Sequence, residues 1–80
     1  MNMIIYEIEC YEKKSDKYVK SISLPNNGDK FYRNFLNIED NNLPMYGIEI
    51  TPEIQKKFKM ELNIDIDINK YYCIFAELSQ

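Results

Sequence analysis

The chain has 80 residues, enough for one small domain and too few for a two-domain enzyme. Hydrophobic residues at 45% and aromatics at 14% exceed what a disordered tail carries. A net charge of −3 argues against nucleic acid, whose phosphates call for a basic face, and suits a basic protein partner better.

The absence of histidine removes imidazole bases, Ser-His or Cys-His pairs and His metal ligands. Without a glycine-rich loop or an activated nucleophile, the chain reads as non-enzymatic and as needing no cofactor. The longest apolar run is far short of the roughly 20 residues that cross a bilayer, so no membrane partner is expected. The opening MNMIIYEIEC lacks the features of a signal peptide, so a reducing cytoplasm is the expected home.

In residues 3–11 apolar side chains alternate with acids. Ile4, Tyr6, Ile8 and Cys10 point one way; Ile5, Glu7, Glu9 and Tyr11 point the other. Period two predicts a half-buried strand. The polar run at 12–17 is a turn, and residues 18–24 complete a hairpin. Pro25, Asn26, Asn27 and Gly28 stop it, because proline cannot donate to a ladder. Asp29 is placed to cap a short helix to about Leu36, with Phe31, Phe35 and Leu36 on its apolar side.

Residues 37–44 form a loop, and 45–50 a third strand weakened at Gly47. Thr51, Pro52 and Glu53 start a helix: a hydroxyl cap, a proline whose missing N–H costs nothing at the first position, and an acid near the positive dipole end. Ile54, Phe58 and Leu62 follow at spacing four, Lys56, Lys57 and Lys59 turn mostly to solvent, and Asn63 ends the helix. Residues 64–68 are extended, and 70–78 form the last strand with Tyr72, Ile74, Ala76 and Leu78 on one face. The expected fold class is α+β: residues 1–80 as a single domain, an antiparallel four-stranded sheet with two short helices on one face, in the order β-β-α-β-α-β.

If the aliphatic face meets the helices, the other shows Glu7, Glu9, Tyr11, Glu49, Tyr71, Phe75 and Glu77. Carboxylates mixed with exposed rings either solubilise the sheet or form a partner-binding face. Asp65 and Asp67 share one side of an extended segment. They lack the further ligands and the glycine of a calcium loop, so no metal is assigned to them. They read as simple solvation or as an acidic contact at the edge of the partner face. Seven tyrosines could stack bases, yet their acidic neighbours argue against nucleic acid. In this register Cys10 and Cys73 fall on opposite faces, too far apart for a disulfide, and Cys73 is the one open to a partner.

The order of elements, the acidic balance and the length resemble the cloacin-type immunity proteins, which protect bacteria from ribosome-cleaving nuclease bacteriocins. ECYEKKSDKYVKSISL is similar to that family's first hairpin, and MYGIEITPEIQKKFKMELNIDIDINKYYCIFAEL to its third strand, helix and closing strand. A related group of small bacterial proteins found beside polymorphic toxins shares the strand, the Thr-Pro-Glu start, the helix and a Tyr-rich final strand. The resemblance implies a sheet whose exposed face grips a basic nuclease domain. It also implies a specificity-setting position at about Tyr46, where that family carries cysteine. The expected function is therefore an immunity protein that binds and neutralises a cognate nuclease toxin, itself a monomer or weak dimer when free. The rival expectation is a structural or regulatory subunit that self-associates or binds another protein.

Overall fold

The computed structural model describes residues 3–79. Six elements follow in chain order: β1 (Ile4–Glu12), β2 (Tyr18–Ser23), α1 (Asp29–Phe35), β3 (Tyr46–Glu49), α2 (Pro52–Leu62) and β4 (Tyr71–Ser79). The strands form one antiparallel sheet in the order β2-β1-β4-β3. This is the expected α+β architecture. Among the described residues no helix is long and apolar enough to cross a membrane.

Helix α2 forms where its signals stand. The Thr51 hydroxyl accepts from the Ile54 N–H, Pro52 opens the first turn, and Asn63 closes the helix in the left-handed conformation at φ 55°. Helix α1 starts differently. Gly28 takes the cap position at φ 93°, and Asp29 is already helical, its carboxylate 2.7 Å from the Arg33 guanidinium. Asp29 therefore braces the helix side and does not cap its end. Arg33 also donates to the Asp40 and Leu43 carbonyls, which ties the loop before β3 to α1.

The core lies between the helices and one face of the sheet. Tyr32, Phe35 and Phe58 come down from the helices onto Tyr6, Ile8, Cys10, Cys73 and Phe75. Tyr32 sits 4.8 Å from the Tyr6 ring and 5.2 Å from Phe75, centroid to centroid. Its hydroxyl donates to the Pro25 carbonyl, so a buried polar group has its partner. Tyr32 was not among the expected core residues of α1, yet it is the fully buried one.

The phase of β4 is the opposite of the expected one. Directly paired residues of neighbouring strands share a face. Tyr6 pairs with Glu77, Ile8 with Phe75, Cys10 with Cys73 and Glu12 with Tyr71. Tyr71, Cys73, Phe75 and Glu77 thus stand on the inner, helix-covered face, and Tyr72, Ile74, Ala76 and Leu78 on the outer one. The four consecutive residues Cys73 to Ala76 are all buried. Alternation therefore leaves no polar mark there from which to read the phase.

The two cysteines are neighbours and not strangers on opposite faces. Both are free thiols, with sulfurs 3.6 Å apart. The Cys73 carbonyl accepts from the N–H of Ile50, the residue just after β3, so Cys73 turns its hydrogen-bonding groups away from β1. Cys10 and Cys73 therefore form a non-hydrogen-bonded pair, the kind in which side chains approach most closely. Burial, and then the adjoining Cys10 thiol, push the Cys73 thiol up to about 12.

Candidate functional site

The outer face of the sheet is the candidate surface, and two irregularities shape it. Between Cys10 and Tyr11 the pairing of β1 with β2 jumps from Lys20 to Tyr18, leaving Val19 as an extra residue. Between Tyr46 and Ile48 the pairing of β3 with β4 jumps likewise, with Gly47 at φ 82° as the extra residue. A bulge re-aims the side chains on either side of it. Strict alternation would put Tyr46 on the same face as Ile48. The bulge lets Tyr46 pair with Ala76 on the outer face while Ile48 pairs with Phe75 on the inner one. Glycine is suited to this backbone because a positive φ strains residues that carry a Cβ. Tyr18 is turned outward in the same way, opposite Tyr11.

Four tyrosines consequently share the outer face: Tyr11, Tyr18, Tyr46 and Tyr72. The last three are 58%, 50% and 42% exposed. Glu7, Glu9 and Glu49 stand among them, and no lysine or arginine occupies an outward strand position. Glu9 is the centre of the arrangement. Its Oε1 accepts from the Tyr11 hydroxyl at 2.8 Å and from the Tyr46 hydroxyl at 2.9 Å. Since Tyr46 pairs with Ala76 and bonds to Glu9 two strands away, its ring must cross over β4. That crossing encloses Glu9, which is only 8% exposed. The Glu9 carboxylate raises the pKa of both phenols, since it favours their protonated, donating form. Nearby, Ser21 donates to Glu7 at 3.3 Å and shares a 2.7 Å hydrogen bond with Tyr18.

Of the site residues expected from sequence, Glu7, Glu9, Tyr11, Tyr46 and Glu49 come together on this face. Four others do not. Cys73 and Phe75 are enclosed in the core, so neither can touch a partner on the outer face. Tyr71 lies on the inner side with Lys20 and Lys70 against its ring, at 5.3 and 5.4 Å. Glu77 lies inward beside Tyr6 and the start of α1. Burial raises its pKa, the Asp29 carboxylate adds to the rise, and Arg33 opposes it. Asp65 and Asp67 are also misplaced with respect to the expected contact. They border a hollow with Lys20 and Lys59 on the helix side. Asp65 lies 3.0 Å from the Lys59 ammonium, and Asp67 accepts the backbone N–H groups of Asn69 and Lys70 to shape the turn into β4.

Tyr18 and Tyr72 are the outer-face tyrosines that sequence reasoning missed. The signal for Tyr18 would have been a bulge at Val19, which no residue type announces. The signal for Tyr72 was the phase of β4.

A family model described as Domain of unknown function (DUF7683) matches residues 5–76. The chain belongs to the DUF7683 family. The match covers β2, β3 and both helices whole, β1 from its second residue, and β4 as far as Ala76. No curated protein and no solved structure matches the chain.

Proposed function

We propose that this DUF7683 protein is a non-enzymatic immunity protein that holds a basic nuclease toxin domain on the outer face of its sheet. The observation that carries the reading is the set of four tyrosines over Glu7, Glu9 and Glu49 on a face that no helix covers. A merely solvated sheet face needs polar groups and no rings. Here rings and carboxylates are interleaved. Exposed tyrosines supply contact area at a low cost in side-chain entropy, and interfaces are enriched in them. The carboxylates match lysines and arginines on the partner and speed its approach. Neutralisation then comes from occlusion of the toxin and requires no chemistry by this chain. The likeness of the hairpin and of the segment from Met45 to Leu78 to cloacin-type immunity proteins supports the choice of partner.

A second copy of the chain suits the same face less well. Two-fold pairing through this face would bring two acidic surfaces together, and like charges in contact oppose association.

Co-expression with the open reading frame immediately upstream tests the proposal. The expected result is a neighbour that is toxic alone, growth rescued by this protein, and a stable complex of the two. Absence of toxicity and of a complex overturns the toxin reading. A tight dimer in sedimentation, resistant to charge reversal at Glu7 and Glu49, would replace it with self-association.

A further inference from the structure

The outer face is not uniform. Where β1, β4 and β3 adjoin the first hairpin turn, Tyr11, Asp16, Tyr46, Gly47, Tyr72 and Ile74 line a depression of about 360 Å³. Both phenols bonded to Glu9 are in this lining. Both bonds fall on Oε1, and no described residue donates to Oε2. An enclosed carboxylate is costly unless its charge is paired. Two hydroxyls satisfy Oε1 of Glu9, and Oε2, which is not sealed from solvent, remains open to a further donor. Among the described residues the ion pairs are Arg33 with Asp29 and Lys59 with Asp65, and both lie away from the outer face. A second acid, Asp16, stands at the rim in a left-handed turn at φ 60°.

Three tyrosine rings and the Asp16 carboxylate in the lining, two of those phenols bonded to the Glu9 carboxylate, are features that recognise an organic cation. Aromatic faces attract positive charge, and the attraction grows as water is removed. We infer that the depression receives one arginine side chain of the protein partner, its guanidinium among the Tyr11, Tyr46 and Tyr72 rings with the Asp16 and Glu9 carboxylates as its counter-charges. This rests on the reading of the outer face as a docking surface. Arginine suits the place better than lysine. Its guanidinium is flat, stacks on rings, is weakly hydrated, and donates in a fork that two carboxylates can share. A lysine ammonium holds its water more strongly and offers no plane to stack. The size agrees as well, since about 360 Å³ lies at the small end of the roughly 300–1,000 Å³ range of ligand sites.

The inference is tested on the ¹⁵N-labelled chain with three probes: Nα-acetyl-arginine amide, the lysine equivalent, and the citrulline equivalent, whose urea keeps the shape without the charge. The expected result with arginine is saturable shifts at the amides of Tyr11, Tyr46, Gly47 and Tyr72. The lysine probe should bind more weakly and citrulline should not saturate. Glu9→Gln should reduce the arginine affinity by about tenfold or more, the scale of a lost charge-assisted hydrogen bond. Should that variant fail to fold, Tyr72→Ala, which removes a ring without touching Glu9, should weaken binding several-fold. Shifts scattered over the surface acids, equal response to citrulline, or no saturable response at these amides would overturn the inference. No toxin enters this titration, so it can fail while growth rescue succeeds, and the reverse.

Discussion

On the inner face of the sheet, Tyr6, Ile8, Cys10, Cys73 and Phe75 are closed over by Tyr32, Phe35 and Phe58, whereas on the outer face Tyr11, Tyr18, Tyr46 and Tyr72 stand beside Glu7, Glu9 and Glu49 under no further layer. Aromatic rings are plentiful on both sides, but they do different things. Inner rings meet rings, as Phe35 and Phe58 do at 4.7 Å between centroids. Three of the outer phenols end in hydrogen bonds to Glu9 or Ser21. The inner set removes apolar area from water, the main favourable term in holding so small a domain folded. The outer set fixes ring positions through polar bonds and leaves the ring surface available. Aromatic content alone therefore says little about stability in this chain; the face on which a ring lies decides its role.

The largest expected effect tests this contrast directly. Phe75→Ala should cost about 3–5 kcal/mol in urea unfolding, a large share of the roughly 5–15 kcal/mol typical of a domain. Tyr72→Ala, three residues earlier and on the other face, should cost less than about 1 kcal/mol. Equal losses at the two positions would break the face assignment of β4.

Charge reversal sharpens the other side of the comparison. Glu7→Lys combined with Glu49→Lys should slow association with the proposed toxin partner about 10-fold or more at low salt, with unfolding midpoints little changed. Glu9 is left out of that pair because a lysine beneath the Tyr46 ring would disturb the fold as well as the charge. Unchanged association rates would remove the electrostatic part of the proposal.

The cysteines give a smaller effect. With both thiols buried and Cys73 pushed up to about 12, a thiolate-selective reagent at pH 8 should label neither in the folded protein and both once urea unfolds it. Prompt native labelling of Cys73 would return it to the outer face. The smallest effect concerns Glu77. A folded pKa raised above the ordinary carboxylate value means that the native state binds this proton more tightly than the unfolded chain does. Its contribution to stability is then complete below the ordinary value and is lost as pH rises through the raised one. Glu77→Gln should flatten the rise in stability on acidification from neutral pH, read from urea midpoints across that range.

Helix α2 and the inward side of β1 were legible in the sequence because each carries local marks: Thr51 and Pro52 at one end, Asn63 at the other, and Ile4, Tyr6, Ile8 and Cys10 alternating with acids. Strand β4 carries no such marks. It is an interior strand of the sheet, covered inside by the helices and outside by the Tyr46 ring, so Cys73, Ile74, Phe75 and Ala76 are all apolar and period two disappears. The outer site was half legible. Glu7, Glu9, Tyr11 and Glu49 followed from alternation, and the resemblance pointed to Tyr46. The bond from Tyr46 to Glu9 depends on the Gly47 bulge and on β4 lying between β1 and β3, and strand order is not written in local sequence. Asp65 and Asp67 were misplaced for a related reason: the return from α2 to β4 runs on the helix side, where Gln55 holds the Ile66 carbonyl.

Hydroxyl-radical footprinting of the seven tyrosines, with and without the co-expressed partner, tests the docking face most directly. In the free protein Tyr18, Tyr46 and Tyr72 should be modified readily and Tyr6 and Tyr32 hardly at all. In the complex Tyr11, Tyr18, Tyr46 and Tyr72 should be protected together while Tyr71 keeps its free rate. Protection of Tyr71 with the outer four unchanged would contradict the account and move the partner to the helix side.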